Sequence, residues 1–306
     1  MGQIMDKKLL DELTKEYSNI FNSDDESKSY KSIKVSAVKE LYNSISLDTI
    51  NDNDTSAYLA LIDRFADCVK DDDRKSVIDI AQKIETKKQK YLAEINRLDK
   101  LNQYENKARQ NGFEIIGGVD EAGRGPLAGP VVAAVVVFKD SIRINKINDS
   151  KKISEKNREE LFDIIKEKAY DYGIGIATPD EIDEHNILNA TYIAMKRAID
   201  KLKHKPDYLI NDAVIIPNMD MKQESLIKGD AKSISIASAS ILAKVTRDRM
   251  MYEYDKRFPE YNFSSNKGYG TEVHYEAIKK YGITNIHRLS FLKNFTEFFD
   301  EKNVRK

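Results

Sequence analysis

The sequence predicts an α/β protein: a mixed five-stranded sheet flanked by helices, with a helical N-terminal extension and a helical C-terminal segment. Three observations carry this. Strand-like stretches follow one another at 113–120, 130–139 and 172–178. Two shorter ones, at 207–212 and 226–228, alternate with helical stretches. Before residue 112 the apolar residues recur only at helical spacing.

Taken in order, Leu9, Leu10, Leu13 and Tyr17 share one helical face, and Leu59, Ile62, Phe65 and Ala66 share another. The segments 22–34 and 48–56 are polar and loop-like. Residues 76–109 read as one long helix with Ile80, Ile84, Tyr91, Ile95, Leu98 and Leu101 in a stripe, and Asn111-Gly112 as its stop. Phe113 to Asp120 is apolar and ends in charge; Pro130 to Lys139 is dense in β-branched residues and reads as a buried strand. A helix is expected over 154–170. A second starts at Thr178-Pro179, with acids in its first turn, and runs to about Lys203. Residues 235–255 are helical, and shorter helices follow to the end.

A chain of 306 residues can bury a core without disulfide or metal staples. At 41% apolar and 33% charged residues, wholesale disorder is excluded. The single cysteine, Cys68, rules out a disulfide framework and a Cys-rich zinc site and fits a reducing compartment. The longest apolar run, Pro126 to Phe138, is too short to span a bilayer. The first residues lack the apolar centre of a secretion signal, and Asp6 stands where myristoylation wants Ser or Thr. A soluble, cytoplasmic monomer is expected. Charge divides the chain into an acidic helical region (1–73, net −7), a basic helical extension (74–112, net +5) and a nearly neutral α/β domain (113–306, net +1). Nothing in 1–73 carries recognisable chemistry. The overall net charge of −1 argues against a general polyanion binder.

The densest chemistry lies in Gly118-Val119-Asp120-Glu121-Ala122-Gly123-Arg124-Gly125-Pro126. Neighbouring strand residues face opposite sides of a sheet, so Asp120 and Glu121 can serve one site only at a strand end, where the chain turns. The Gly123-Arg124-Gly125 turn lets backbone approach a ligand closely, beside a fork-shaped phosphate donor. Asp212 ends another strand and Asp230 follows Lys228-Gly229. Carboxylates without His or Cys favour Mg²⁺ or Mn²⁺. Ser235, Ser238, Ser240 and Lys244 lie in a small-residue helix whose start suits an anion. Lys151, Lys152 and Tyr269 add phosphate-pairing and stacking groups in loops. His185, His204, His274 and His287 have no ligand spacing, and no nucleophile elbow, Walker loop or Rossmann fingerprint is present.

Together these segments resemble ribonuclease HII over about residues 113–300. The resemblance rests on GVDEAGRGPLAGPVVAA (118–134), NDSKKIS (148–154), TPDEIDEHNILNAT (178–191), YLINDA (208–213), IKGD (227–230), SISIASASILAKVTRDRMM (233–251), NKGYGT (266–271) and HRLSF (287–291), in that order. The Gly-Arg-Gly triplet resembles type HII and not the sister type HIII. The resemblance implies a ribonuclease H-like fold and an endonuclease dependent on divalent Mn²⁺ or Mg²⁺. Its substrates would be the RNA strand of RNA–DNA hybrids and DNA duplexes carrying a ribonucleotide, nicked on the 5′ side to leave 3′-hydroxyl and 5′-phosphate ends. Carried over, Asp120, Glu121 and Asp212 are the main metal ligands and Asp230 the fourth acid. Gly123, Arg124 and Gly125 read the ribose 2′-hydroxyl, and Tyr269 senses the junction with the next deoxynucleotide. Lys151, Lys152, Ser235, Ser238, Ser240 and Lys244 match phosphate-binding positions. Asn211 departs from the usual apolar residue and is expected near solvent. Residues 76–112 are similar to a helical extension that some members carry.

Overall fold

The computed structural model describes residues 34–44, 59–60, 62–63, 66 and 72–292. The expected helix around Leu9 to Tyr17 and the loop at 48–56 lie outside them. The chain divides into two compact units, residues 1–97 and 98–306. In the first, helix α1 (Val35–Ser44) and most of helix α2 (Lys75–Leu101) carry a small core of Val38, Ile62, Val77, Ile80, Ala81 and Ile84. Of the stripe the sequence predicts, Ile80 and Ile84 lie in this core, Leu98 and Leu101 join the core of the second unit, and Tyr91 and Ile95 are half-buried.

The single helix expected over 76–109 is broken. Helix α2 ends at Leu101 and α3 (Gln103–Gln110) follows Asn102. Buried Asn102 donates to the carbonyls of Leu98 and Ile142, each at 2.9 Å, and its Oδ1 accepts from the Ile142 N–H at 3.0 Å. A side-chain clasp to a distant loop thus interrupts the helix. Beyond it, Glu105 is 1% exposed and its Oε1 accepts from the Ser233 hydroxyl (2.5 Å) and the Ser235 N–H (3.0 Å). Those donors open the longest helix of the second unit, where a carboxylate is favoured by the free amides. Burial nevertheless pushes the Glu105 pKa up, against the lowering by the two serines.

The second unit is built on strands β1 (Ile116–Ala122), β2 (Val131–Val137), β3 (Asp171–Ala177), β4 (Tyr208–Asp212) and β5 (Lys222–Leu226), in spatial order β3-β2-β1-β4-β5. The first three form an antiparallel meander; β4 and β5 join β1 in parallel. Every residue of β2 is buried because both faces of the sheet are covered. Val132, Ala134 and Val136 face a core shared with helices α4 (Glu155–Lys168) and α6 (Ile234–Arg257). Val131, Ala133, Val135 and Val137 face the opposite core, with α5 (Pro179–Asp200). The two-residue period of a strand therefore sorts one unbroken valine-alanine run onto two faces.

Helix α5 starts as expected, with Thr178 and Glu181 forming a reciprocal capping box and Pro179 in the first turn. It is kinked at Asn186 (φ 64°, ψ 164°), whose Oδ1 accepts from the N–H groups of Leu188 and Asn189. The fifth strand lies at 222–226, not 226–228. Its sequence, Lys-Gln-Glu-Ser-Leu, lacks an apolar signature because it is an edge strand with half-solvated side chains. After α6 come two short helices, α7 (Phe263–Asn266) and α8 (Glu272–Tyr281).

Asn211 differs from the sequence expectation: it is fully buried, not near solvent. Its amide donates to Gln223 Oε1 at 2.8 Å, and Gln223 also bridges the Ile216 N–H and carbonyl. A glutamine on the neighbouring strand thus takes up the Asn211 amide N–H, while Asn211 Oδ1 stays buried without a hydrogen-bond partner.

Helix α6 lies very close to β1. A Cβ on Gly118 would fall 2.3 Å from the Ser235 carbonyl carbon and 2.5 Å from the Ile236 nitrogen. These are backbone atoms and cannot swing aside. Gly118→Ala is therefore expected to destabilise the fold by about 3 kcal/mol, an overpacking cost. Urea unfolding measures it, and a loss below about 0.5 kcal/mol, the scale of an ordinary surface change, would disprove the tight contact.

Candidate active site

The parallel pairing of β1 with β4 brings two strand ends to one edge of the sheet. Asp120 and Glu121 lie at the end of β1, and Asp212 is the last residue of β4. Asp230 stands in the 3₁₀ turn Gly229–Ala231, and the Gly229 N–H donates to Asp212 Oδ1 at 2.7 Å. Glycine suits this close approach, since a Cβ there would lie 2.5 Å from Ile236 Cδ1 and 3.2 Å from Asp212 Oδ1. The four acids predicted from sequence are thus brought together.

Electrostatics shows how closely they interact. Asp120 is 5% exposed, and its carboxyl is held well above the usual carboxylate range. Burial is the main cause; the charges of Glu121 and Asp212 add to it, while the Ser240 hydroxyl offsets part. Glu121 is raised by burial and by Asp212, against the lowering by Arg124 and Lys151. Asp230 is raised by burial, then by Asp149 and Asp212, again with Lys151 opposing. Asp149 is a fifth acid at this edge, in the loop that carries Lys151 and Lys152. The carboxylates crowd one another, and the cations at hand offset only part of that.

The donor set fits a hard divalent cation. Glu121 Oε2 is buried with no hydrogen-bond partner, while Oε1 accepts from Arg124 at 3.3 Å. An orphan buried carboxylate oxygen beside two further acids is the arrangement a cation would satisfy. Among the described residues, no three His, Cys, Asp or Glu side chains close around one point as a finished cage. Magnesium-type sites complete their shells with water and substrate oxygens, so a finished protein cage is not required.

The Gly-Arg-Gly turn leaves β1 beside these acids. Gly123 has φ +94°, and a Cβ there would sit 2.1 Å from Arg247 Nε. Two buried arginines lie behind the turn; Arg288 holds it directly and Arg247 holds the residues that follow it. Arg288 donates to the carbonyls of Gly123 (2.6 Å), Arg124 (2.9 Å) and Gly129 (2.9 Å). Arg247 donates to Pro130 (2.9 Å), Ala128 (3.0 Å) and Lys267 (2.9 Å). Burial lowers Arg288 to about 9 and Arg247 to about 10, yet both stay charged at neutral pH. Their planar forks bind three carbonyls each at fixed angles, a geometry a lysine ammonium does not fix. With its carbonyls so engaged, the turn's remaining groups are left for a ligand. Tyr269 is half exposed, its Cε1 3.6 Å from the Cβ position of Gly125. Turn and tyrosine, distant in sequence, are neighbours.

The basic and serine positions fare unevenly. Lys151 lies within electrostatic reach of Glu121 and Asp230, whereas Lys152 is exposed and 3.9 Å from Asp149. Lys244 pairs with Asp248 at 2.7 Å. Ser240 adjoins Asp120 and shares a 3.0 Å hydrogen bond with Ser150. Ser235 and Ser238 are fully buried, and Ser238 donates to the Ile234 carbonyl at 2.8 Å. Their smallness serves the approach of α6 to β1. Sequence reasoning assigns no role to Arg247 and Arg288: Arg247 stands in the charged stretch Lys244 to Arg249, where nothing marks it as buried.

A family model described as Ribonuclease HII matches residues 117–294, more than half of the chain. The chain belongs to the ribonuclease HII family. A second model, the Ribonuclease HII N-terminal domain, matches residues 47–109. Ribonuclease HII of Clostridioides difficile is 60% identical over 230 residues, covering 75% of this chain and 90% of that protein. That of Acetivibrio thermocellus is 54% identical over 228 residues, covering 74% and 89%. Among solved structures, ribonuclease H2 from Pyrococcus horikoshii aligns with a TM-score of 0.52 and 30% identity, over 60% of this chain and 97% of that one. RNase HII in its PCNA complex from Archaeoglobus fulgidus gives 0.50 and 26%, over 57% and 94%. As a ribonuclease HII, the chain is a hydrolase, an endonuclease with ribonuclease H activity on RNA–DNA hybrids. The family is dependent on divalent metal. Among the described residues, no helix is long and apolar enough to cross a membrane.

Proposed function

We propose that this enzyme also nicks DNA duplexes on the 5′ side of an embedded ribonucleotide, and that it serves ribonucleotide excision and RNA removal during replication in the cytoplasm. One observation carries the reading: the acid cluster, the Gly123–Gly125 turn and Tyr269 stand side by side at one edge of the sheet. Water attacks phosphorus, the bond to the 3′ oxygen breaks, and the products end in 3′-hydroxyl and 5′-phosphate. Asp120, Glu121 and Asp212 would hold Mn²⁺ or Mg²⁺, with Asp230 alongside. When bound, the metal supplies charge neutralisation and Lewis acidity at the phosphate, in the manner of two-metal hydrolysis.

The protein's own groups do the rest. The acids fix where positive charge can gather, and without it they would repel a phosphodiester. The turn offers backbone groups to the ribose 2′-hydroxyl, the feature that separates RNA from DNA. Arg124 ties Glu121 to that turn, and Tyr269 offers its ring to the following deoxynucleotide. Lys151, Lys152, Ser240 and Lys244 are candidates for phosphate contacts. The region before residue 113 is read as an accessory: 74–112 a basic helical extension, 1–73 acidic and without assigned role.

Single-turnover cleavage of a DNA duplex containing one ribonucleotide, with and without Mn²⁺ or Mg²⁺, tests this. A metal-dependent nick 5′ of the ribose is the expected result. An intact duplex beside a readily cut long hybrid would replace it with the type HIII reading.

A further inference from the structure

Two histidines lie fully within the C-terminal part of the second unit, 0% and 2% exposed, with Nε2 atoms 3.1 Å apart. Their hydrogen bonds determine both tautomers. His274 Nδ1 is 2.9 Å from the Tyr269 carbonyl oxygen, which can only accept, so this nitrogen carries the proton. His287 Nδ1 accepts from the Thr284 N–H at 2.9 Å, so its proton is on Nε2. The His287 Nε2–H therefore donates to the bare Nε2 of His274. A directed chain results: Thr284 N–H to His287, His287 to His274, His274 to the Tyr269 carbonyl. All four ring nitrogens are used. Tyr261 and Phe263 pack around the pair, and Phe263 meets His274 edge-on at 5.3 Å.

The chain connects two parts of the site. His287 bridges Ala128 as an isolated β-bridge, and the next residue, Arg288, holds the Gly123 and Arg124 carbonyls. The segment that braces the turn thus also braces Tyr269. An apolar pair could fill this space, but it could not fix a carbonyl; a fully satisfied polar chain in a dry surrounding fixes one arrangement.

We propose that His287 and His274 are positioning residues that set Tyr269 against the Gly123–Gly125 turn, so that ribose reading and junction reading are held in one register. This rests on the reading of Tyr269 as junction sensor. Burial pushes both rings below the ordinary histidine range, His287 to about 3 with a further push from His274, so both are neutral and the donor order holds at neutral pH.

The test uses the full chain. Nitrogen-15 histidine spectra are expected to show two rings of opposite tautomer, Nδ1–H at 274 and Nε2–H at 287. Two rings of the same tautomer, or either ring charged at pH 7, would overturn the proposal. In parallel, the ratio of kcat/KM on a single embedded ribonucleotide to that on a long hybrid is measured. We expect a fall of about tenfold in His287→Leu and restoration by His287→Gln, whose amide can still donate to His274. A ratio unchanged in His287→Leu, or no recovery with Gln, rejects the relay. Tyr269→Ala separates the two readings. If it lowers the ratio while His287→Leu does not, the relay alone falls; if it leaves the ratio unchanged, the Tyr269 assignment falls and the relay with it. Should His287→Leu not fold, the tautomer spectra decide.

Discussion

Asp120→Asn is expected to reduce cleavage at least about a thousandfold while leaving a folded and, without metal, more stable protein. The activity loss follows from removing one anion from the set that would gather the metal, a change worth several kcal/mol in the transition state. The stability gain has a separate cause. Asp120 is buried among acids, and its pKa is raised for that reason. A carboxyl raised in the folded state favours folding fully below its unfolded pKa, near 4, and loses that contribution as pH rises through the folded value. At neutral pH the wild type therefore carries strain that Asn does not. Melting temperatures from pH 4 to 8 without metal should fall with pH more steeply in the wild type, because only the wild type carries the raised Asp120 carboxyl in addition to the raised Glu121 and Asp230. Added Mn²⁺ should stabilise the wild type by mass action and the variant much less. A variant of unchanged activity would remove Asp120 from the site; equal melting slopes would show that the acids are not strained.

Arg288→Leu is expected to cost about 3 to 5 kcal/mol of stability and to erase most of the preference for ribose over deoxyribose. The residue is fully buried and donates to three carbonyls from one planar group. Leucine would leave those carbonyls unpaired, and each unpaired buried group costs about 1 to 3 kcal/mol before the turn relaxes. If the turn relaxes instead, the geometry of Gly123 and Gly125 is lost and the 2′-hydroxyl is read poorly. Arg288→Lys should rescue little, since a point charge cannot hold three carbonyls at fixed angles. Urea unfolding together with rates on matched ribo- and deoxyribo-substrates checks both effects. Stability close to wild type with intact ribose preference would show that the turn is held by its own backbone.

Asp120, Glu121 and Asp212 were legible in the sequence for a simple reason: an apolar run that stops at a carboxylate marks a strand reaching a sheet edge, whereas Asp230 lies in a turn and was matched as the fourth acid through the family resemblance. The valine-rich strand and the Thr178-Pro179 helix start were legible because their determinants are local. What could not be read was set by partners far along the chain. Asn102 breaks a helix because Ile142 is there to receive its side chain. Asn211 is buried and not wetted because Gln223 lies on the next strand. Ser235 and Ser238 suited an anion by type, yet α6 packs on Gly118 so closely that they have no surface. The two arginines and the two histidines behind the Gly123–Gly125 turn and Tyr269 look in sequence like surface residues; only burial separates them.

The parallel pairing of β1 with β4 also has a consequence in time. Ile116 pairs with Tyr208, and Arg288 reaches back from near the end of the chain to the carbonyl of Gly123. Contacts this remote in sequence form late, since the entropy of closing long loops must be met first. During synthesis the leading meander can assemble as soon as β3 has emerged, but it then displays Asp120 and Glu121 without Asp212, Asp230 or a braced turn. On the proposed assignment of these acids and the turn, a partly made chain is expected to cut no nucleic acid until nearly the whole polypeptide has left the ribosome.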